Sequence, residues 1–121
     1  MNLYIKTEEG YSIEQRSEYS KIKCYLKEKQ ITKEEFYKKY NIEEKDIQNL
    51  LTNKEIDNEI MNKLKKMNIE EIVLPNNIKE LKEKQFSYMK KLKKIELPKK
   101  IEKISECCFY GCNNLEKVEK I

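Results

Sequence analysis

The residues of this chain best suited to chemistry are its four cysteines, because the sequence contains no histidine. Three of them lie together in a C-C-x3-C arrangement. This is not the paired spacing of a structural zinc site, and no histidine completes one. We therefore predict no metal site. Small, buried, reduced thiols are the favoured interpretation, with metal or redox chemistry as the alternative, for Cys24, Cys107, Cys108 and Cys112.

No other group of residues predicts catalysis. Without histidine the usual acid–base group at neutral pH is missing, and there is no glycine-rich phosphate loop. The carboxylates are spread between lysines, as is typical of solvated surface charge. We predict no catalytic residues, no cofactor and no enzymatic activity.

Composition limits the location of the chain. Charged residues make up 40% of the 121 residues and apolar residues 38%. No apolar run approaches the roughly 18 residues of a membrane span, and the start, Met1 to Lys6, lacks an apolar signal segment. With reduced cysteines, these features predict a cytoplasmic or nuclear protein.

The elements that position the cysteines are repeats of 23 residues. Ile69-Glu-Glu-Ile-Val-Leu-Pro75 aligns with Leu92-Lys-Lys-Ile-Glu-Leu-Pro98 and with Leu115-Glu-Lys-Val-Glu-Lys-Ile121. Within a unit, alternating apolar residues predict a short strand, and the proline that follows ends it. Apolar residues at near-helical spacing then predict a short helical return. Such units bury their apolar rows only by stacking.

The pattern L-x-x-I-x-L-P-x-x-I-x-x-I-x-x-x-x-F-x-x-C-x-x-L resembles the BspA-like class of leucine-rich repeats. It is clearest from Leu92 to Leu115, and the first unit departs from it at Tyr88 and Met89. The resemblance implies a solenoid that binds through its strand face and adjacent turns. The final strand has Lys120 where an apolar residue is expected. Either the array ends there in an abrupt cap, or the 121 residues are part of a longer array, which is the interpretation we favour.

The N-terminal part of the sequence predicts a hairpin followed by helices. Alternating apolar residues around Gly10 predict a hairpin over residues 3–15. Residues 14–30 carry a helical stripe, and residues 31–53 predict two short helices with Thr32 as cap and Asn41 at the turn. A further helical stripe leads into the first repeat and consists of Ile56, Ile60, Leu64 and Met67.

Residues 31–53 also resemble the Cro- and repressor-type helix-turn-helix in the spacing of Ile31, Phe36, Tyr40, Ile42, Ile47 and Leu50. The positions that would face the DNA major groove include Glu43, Glu44, Lys45 and Asp46, and such carboxylates oppose DNA binding. A helical packing module is the alternative. We expect residues 1–68 to cap the apolar end of repeats 69–121, with the last helix on Ile72, Leu74 and Leu81, which gives an α+β fold with a helical module capping a short solenoid.

Two surfaces are candidates for binding a partner. The strand positions expected to be exposed are Glu71, Val73, Lys94, Glu96, Lys117 and Glu119, a mixed-charge stripe suited to a polar protein partner. Of the net charge of +4, residues 69–121 carry +3. The excess forms a basic patch, which either provides solubility or binds an acidic protein or nucleic acid, at Lys90, Lys91, Lys93, Lys94, Lys99 and Lys100.

We therefore predict a non-enzymatic protein-interaction module. The alternative is a nucleic-acid-binding protein that uses the helix-turn-helix-like segment and the lysine patch, although no aromatic residues interleave that patch. Because Leu115 and Val118 would leave apolar surface on the last strand, an end-to-end homodimer through that strand is a further hypothesis.

Overall fold

The computed structural model describes residues 2–16, 21–26 and 29–120, which form nine strands and three helices, and the α+β class is confirmed. The strands are β1 (Asn2–Thr7), β2 (Tyr11–Arg16), β3 (Lys21–Leu26), β4 (Lys29–Ile31), β5 (Ile69–Val73), β6 (Glu80–Leu81), β7 (Lys94–Leu97), β8 (Lys103–Ile104) and β9 (Lys117–Lys120). The helices are α1 (Lys33–Tyr40), α2 (Glu44–Thr52) and α3 (Asn58–Lys65).

Seven strands form one sheet in the order β4-β3-β2-β1-β5-β7-β9. Its first four strands are antiparallel neighbours, and β1 and β2 are the predicted hairpin, with Gly10 at φ 99° in the turn. Strand β1 also pairs antiparallel with β5, while β5, β7 and β9 run parallel. One sheet therefore joins the N-terminal strands to the repeats, and β1 fills the edge of the first repeat strand.

The helix predicted for residues 14–30 is wrong. This segment supplies the end of β2, all of β3 and most of β4. Its residues Ile22, Cys24 and Leu26 alternate with a period of two, which is typical of a strand, and pairing with two neighbouring strands decides in favour of that period. Tyr19, an apolar residue of the same predicted helix, lies outside the described residues.

Helices α1 and α2 confirm the two short helices predicted within residues 31–53. The Thr32 hydroxyl accepts a hydrogen bond from the Glu35 N–H at 3.1 Å and so caps α1. Asn41 adopts the left-handed conformation, with φ 53°, and ends the helix. The sequence signals for this turn therefore have direct structural counterparts.

Helix α3 is shorter than the apolar stripe that predicted it. Asp57 caps its start by accepting a hydrogen bond from the Glu59 N–H at 2.7 Å, and the helix ends at Lys65. Ile56 and Met67 lie just outside the helix but are as buried as the two stripe residues within it. The whole stripe thus packs into the core together with Ile72, Leu74 and Leu81.

The repeats lie side by side in the predicted 23-residue register. Ile72 of β5 is opposite Ile95 of β7, which is opposite Val118 of β9. Pro75 and Pro98 follow the ends of β5 and β7, because proline cannot donate to the strand ladder. On the other side of the repeats, β6 pairs in parallel with β8.

The predicted helical return is wrong. After each proline the described chain forms a two-residue strand and successive turns rather than a helix. Each return contains two left-handed residues, Lys84 and Tyr88 in one unit and Cys107 and Gly111 in the next, with φ between 56° and 77°. A left-handed residue ends a right-handed helix, so near-helical apolar spacing cannot be realised as a helix here.

Backbone hydrogen bonds join each unit to the next in the same way. The carbonyl of Lys54 accepts from the Lys79 N–H at 2.8 Å, and the carbonyl of Lys79 accepts from the Glu102 N–H at 2.8 Å. Lys54 lies in the segment between α2 and α3. That segment therefore occupies the place of a preceding repeat.

Two side-chain amides join the first repeat to the helical segment by hydrogen bonds. Gln85 is buried and donates to the Ile56 carbonyl at 2.6 Å. Asn77 donates to the carbonyls of Leu50 at 2.9 Å and Asn53 at 2.6 Å, at the end of α2. Carbonyls at the end of a helix lack intrahelical partners, so Asn77 supplies the donor that those of Leu50 and Asn53 need. Gln85 does the same for the Ile56 carbonyl between α2 and α3.

Candidate interaction surface

All six strand positions predicted to contact a partner lie together on one face of the large sheet. The pairing places them in two rows, Glu71–Lys94–Lys117 and Val73–Glu96–Glu119. Ile72 and Ile95, which alternate with them along the strands, are buried. Since successive side chains of a strand point to opposite faces, the six share the accessible face.

Strands β1 and β2 continue this face beyond the repeats. Tyr4 and Lys6 are opposite Val73 and Glu71, and Glu14 and Ser12 are opposite Tyr4 and Lys6. We define the strand face as Tyr4, Lys6, Ser12, Glu14, Glu71, Val73, Lys94, Glu96, Lys117 and Glu119. Sequence reasoning missed its four N-terminal members, although the alternation of Leu3, Ile5 and Thr7 with Tyr4 and Lys6 indicates the two on β1.

Charges on the repeat half of the strand face are paired with one another. The Lys94 ammonium lies 3.0 Å from the Glu96 carboxylate and 3.8 Å from that of Glu119, and Lys117 lies 2.7 Å from Glu119. The hydrogen bond with Glu96 raises the pKa of Lys94, and the hydrogen bond from Lys117 lowers the pKa of Glu119. These partly exposed pairs contribute little to stability.

The N-terminal half of the strand face has an aromatic centre. Tyr4 lies beside Val73 and, with the charged residues of β1 and β5, lines an open cleft of about 420 Å³. Burial and the nearby carboxylates of Glu71 and Glu14 raise the pKa of Tyr4, so its hydroxyl is neutral at physiological pH. A half-buried tyrosine offers both an apolar ring and a polar tip to a partner.

The six lysines of the basic patch lie at the two ends of β7. Lys90, Lys91 and Lys93 precede the strand, Lys94 opens it, and Lys99 with Lys100 follows it. Carboxylates lie close to three of the six, through the pairs Lys91–Glu8 at 3.3 Å, Lys93–Glu70 at 3.6 Å and Lys94–Glu96 at 3.0 Å. Lys99 and Lys100 line a separate cavity with Asn76, Lys79 and Pro98.

The start of α2, which the helix-turn-helix hypothesis places in the DNA groove, is held by contacts within the protein. The Asp46 carboxylate is buried, accepts from the Glu43 N–H at 2.9 Å and lies 2.7 Å from the Lys63 ammonium. Glu44 accepts a hydrogen bond from the Tyr37 hydroxyl at 3.0 Å. These contacts stabilise the helix start and its packing on α3.

Three described cysteine side chains are free thiols. Cys108 is buried and Cys112 is half-buried against the core, in agreement with the predicted buried thiols. Cys107 is exposed, so the prediction of a buried side chain is wrong at that position. Burial raises the pKa of both Cys108 and Cys112, and the Cys112 thiol donates to the Phe86 carbonyl at 3.0 Å. These two thiols are packing groups between neighbouring units.

Among the described residues, no helix has the length and apolar character that crossing a membrane requires. No curated protein and no solved structure matches the chain, and no match supports the resemblance to a helix-turn-helix. A family model does match, described as a BspA type leucine-rich repeat region of six copies, over residues 54–120. The match begins at Lys54, whose carbonyl accepts the first inter-unit hydrogen bond described above. Because it covers more than half of the sequence, this chain belongs to the BspA-type leucine-rich-repeat family.

Proposed function

We propose that this chain is a non-enzymatic module that binds a protein partner through the strand face of a short leucine-rich-repeat solenoid. Membership of the family indicates a protein-interaction module, and leucine-rich repeats are generally non-enzymatic. The observation that carries the proposal is the register of β1, β5, β7 and β9, which aligns accessible polar side chains in two rows across the sheet.

The strand face suits a polar partner with one apolar anchor. Tyr4 and Val73 lie side by side within the rows, and charged residues flank them on both sides. Tyrosines in such positions frequently dominate binding, while charges around them set orientation and specificity. We expect the partner to place an aromatic or aliphatic side chain on Tyr4 and alternating charges along the β7 and β9 rows.

The proposal can be tested with peptides selected from a random-peptide phage library on the unmodified chain. Their affinities are then measured by fluorescence anisotropy for the unmodified chain and for the double variant Lys94→Glu/Glu96→Lys. This variant keeps the net charge of the chain and an ion pair between positions 94 and 96. It reverses which of the two positions is positive and which is negative. We expect about tenfold weaker binding or more, since like charges would then face each other across the interface.

The matched control is Lys99→Glu/Glu102→Lys, which exchanges two exposed charges away from the strand face. It should leave the affinities unchanged. Peptides that bind the Lys94/Glu96 variant normally but lose affinity for the control would contradict the proposal, because they would place the binding surface beside the β7 end.

No observation favours the nucleic-acid alternative. Its lysines lie at both ends of β7, half of them close to carboxylates, and α2 begins with acidic residues. Anisotropy against labelled duplex and single-stranded DNA at low and moderate salt tests it directly. We expect no binding at low salt; binding that falls steeply with added salt would reinstate the alternative.

Location and domain division remain predictions. Free thiols are consistent with the reducing cytosol or nucleus. The division into a cap of residues 1–68 and repeats of residues 69–121 predicts that the repeats alone do not fold. This follows because the cap supplies β1 and the α2–α3 segment that complete the first repeat.

A further inference from the structure

A small cavity lies between the end of α3 and the first return, beside the start of β5. Its volume is about 180 Å³, and the buried side chains of Ile69 and Met89 contribute to its lining. Pockets for drug-sized molecules measure roughly 300–1,000 Å³, so this cavity is suited to a small chemical group. We define the Tyr88 pocket by its polar lining residues, which are Lys65, Asn68, Tyr88, Lys90 and Lys91.

The Tyr88 pocket is positively charged. The Lys65 ammonium donates to the Ser87 hydroxyl and to a backbone carbonyl, both at 3.4 Å, and neither acceptor carries a charge. Among the residues that the structure describes, the only carboxylate within 4 Å of the three pocket lysines is that of Glu8, 3.3 Å from Lys91. Two of the three positive charges are therefore uncompensated, and a dianion would neutralise them.

Tyr88 places an aromatic ring at this pocket in an unfavourable backbone conformation. Its φ is 60°, in the left-handed region that disfavours residues with a side chain, and the same position one unit later is Gly111. The ring is 62% exposed, and it packs edge-on against Tyr110 with 5.6 Å between ring centroids. A side chain that served packing alone would be buried. Backbone strain together with exposure therefore indicates a binding role.

These features together match one class of ligand. Lysine ammonium groups bind phosphate oxygens as point charges. A phosphate monoester carries a charge of about −1.5 to −2 at pH 7, whereas a diester carries a single charge. An exposed tyrosine ring offers an apolar surface for the group that bears the phosphate. Two of the lysines belong to the basic patch, but the pocket also needs Lys65, Asn68 and Tyr88, which the sequence alone does not bring together.

We propose that the Tyr88 pocket binds a phosphate monoester carried on an aromatic or apolar stem. The lysines neutralise the dianion, and the Tyr88 ring packs against the stem. None of the residues that define the pocket belongs to the strand face, so the inference does not depend on the proposed function.

Phenyl phosphate is the first probe, titrated into the ¹⁵N-labelled chain and followed by nuclear magnetic resonance. We expect saturable shifts concentrated on the amides of residues 65–69 and 87–91. Inorganic phosphate lacks the stem and methyl phenyl phosphate lacks the second charge, so each should bind about tenfold more weakly. Shifts that do not saturate would overturn the proposal. A diester that binds as tightly as the monoester would also overturn it, because it would indicate general attraction of anions to lysine.

A pair of lysine variants tests whether the pocket or the overall charge is responsible. Lys65→Met removes an ammonium group of the pocket and should weaken phenyl phosphate binding about tenfold or more. Lys66→Met is the matched control, because it removes the same charge from an exposed neighbour that does not line the pocket. It should leave the affinity unchanged. Equal weakening by the two variants would contradict a specific pocket.

Tyr88→Gly separates binding from folding. Glycine adopts the left-handed conformation freely, and Gly111 has this role one unit later, so circular dichroism should show a folded chain. The variant should bind phenyl phosphate about tenfold more weakly but inorganic phosphate as before. Unchanged affinity for phenyl phosphate would show that the ring does not contact the stem and would overturn that part of the proposal.

A last experiment distinguishes the two sources of such a group, a small molecule and a phosphorylated protein side chain. Peptides that each carry one phosphotyrosine among random residues are compared with phenyl phosphate. Affinities more than about tenfold higher for some peptides would indicate a phosphorylated protein, and equal affinities would indicate a small molecule. Peptides that bind without being displaced by phenyl phosphate would contradict binding in the Tyr88 pocket.

Discussion

The first and the last described repeats are built from the same sequence pattern but differ in how deeply their apolar residues are buried. At the first repeat, β1 fills the strand edge, and Lys54, Asn77 and Gln85 connect the other side to the helical segment. At the last repeat, Ile104 is 42% exposed and Val118 is 49% exposed.

This difference shows that burial in a repeat protein is a property of the neighbouring unit. Leu81 and Ile104 occupy the same register, yet the first is 0% and the second 42% exposed. The energetic value of an apolar residue therefore depends on its position in the stack, as expected when stability is a sum over units and their interfaces.

The largest effect should come from the two phenylalanines of the repeat motif. Phe86 is fully buried, so Phe86→Ala should cost about 3–5 kcal/mol. Phe109 is half-buried against the core, so Phe109→Ala should cost about 1–2 kcal/mol. Urea denaturation of both variants measures the difference.

If Phe86→Ala does not fold, Phe86→Leu and Phe109→Leu give the same comparison with smaller cavities. Equal losses at the two positions would mean that Phe109 is covered as well as Phe86, and the energetic value of the phenylalanine would then not depend on its position in the stack.

The amide that joins the first repeat to the helices should rank next. Gln85→Met keeps the side-chain volume but leaves the Ile56 carbonyl and the Lys82 N–H without their partner. We expect a loss of about 2–4 kcal/mol, because both groups are left unpaired next to the buried side chain. Gln48→Met on the exposed side of α2 is the matched control and should change stability by about 0.5 kcal/mol or less.

Gly111 has the left-handed conformation that Tyr88 adopts at the same position one unit earlier. A substitution at Gly111 tests what this conformation costs a residue with a side chain. A β-carbon at Gly111 would lie 2.5 Å from the Tyr88 ring, and φ is 77°. Gly111→Ala should therefore cost about 1–3 kcal/mol. In a Tyr88→Ala background the clash disappears, and about 1 kcal/mol of backbone strain should remain. A cost unchanged by Tyr88→Ala would exclude the clash as its cause.

The smallest effect on stability is expected at the N-terminal hairpin. There the Tyr40 hydroxyl joins α1 to the hairpin through a 2.7 Å hydrogen bond with Thr7. Burial raises the pKa of Tyr40 from 10.0 to about 12. The folded protein thus holds this proton more tightly than the unfolded chain, so its contribution is complete below pH 10.0 and is lost as pH rises through about 12. Tyr40→Phe should reduce the loss of stability in that range, measured by urea midpoints. Identical pH profiles would show that lysine titration alone causes the loss.

Local signals predicted local structure well. Gly10 marked the hairpin, Thr32 and Asn41 the ends of α1, and the prolines the ends of β5 and β7. The secondary structure of residues 14–30 was predicted wrongly because a short run of apolar residues fits both the helical and the strand period. Its neighbours in the sheet decide between them, and a single sequence does not name those neighbours.

For the same reason, only part of the candidate site could be predicted from the sequence. The six repeat positions follow from the 23-residue period alone, and the structure places them side by side. The four positions on β1 and β2 depend on the pairing of β1 with β5, a contact between distant parts of the chain. The left-handed residues of the returns were also missed, because three of the four are not glycine.

The pairing of β1 with β5 has a consequence for the order in which the protein folds. Ile5 is synthesised long before its partner Ile72, and β2, β3, β4 and the three described helices lie between them along the chain. During translation the hairpin therefore waits with an unpaired edge until the first repeat leaves the ribosome. Closing so long a loop is slow compared with forming the helices. Chaperone binding to nascent chains should then be strongest before β5 emerges and fall once it pairs.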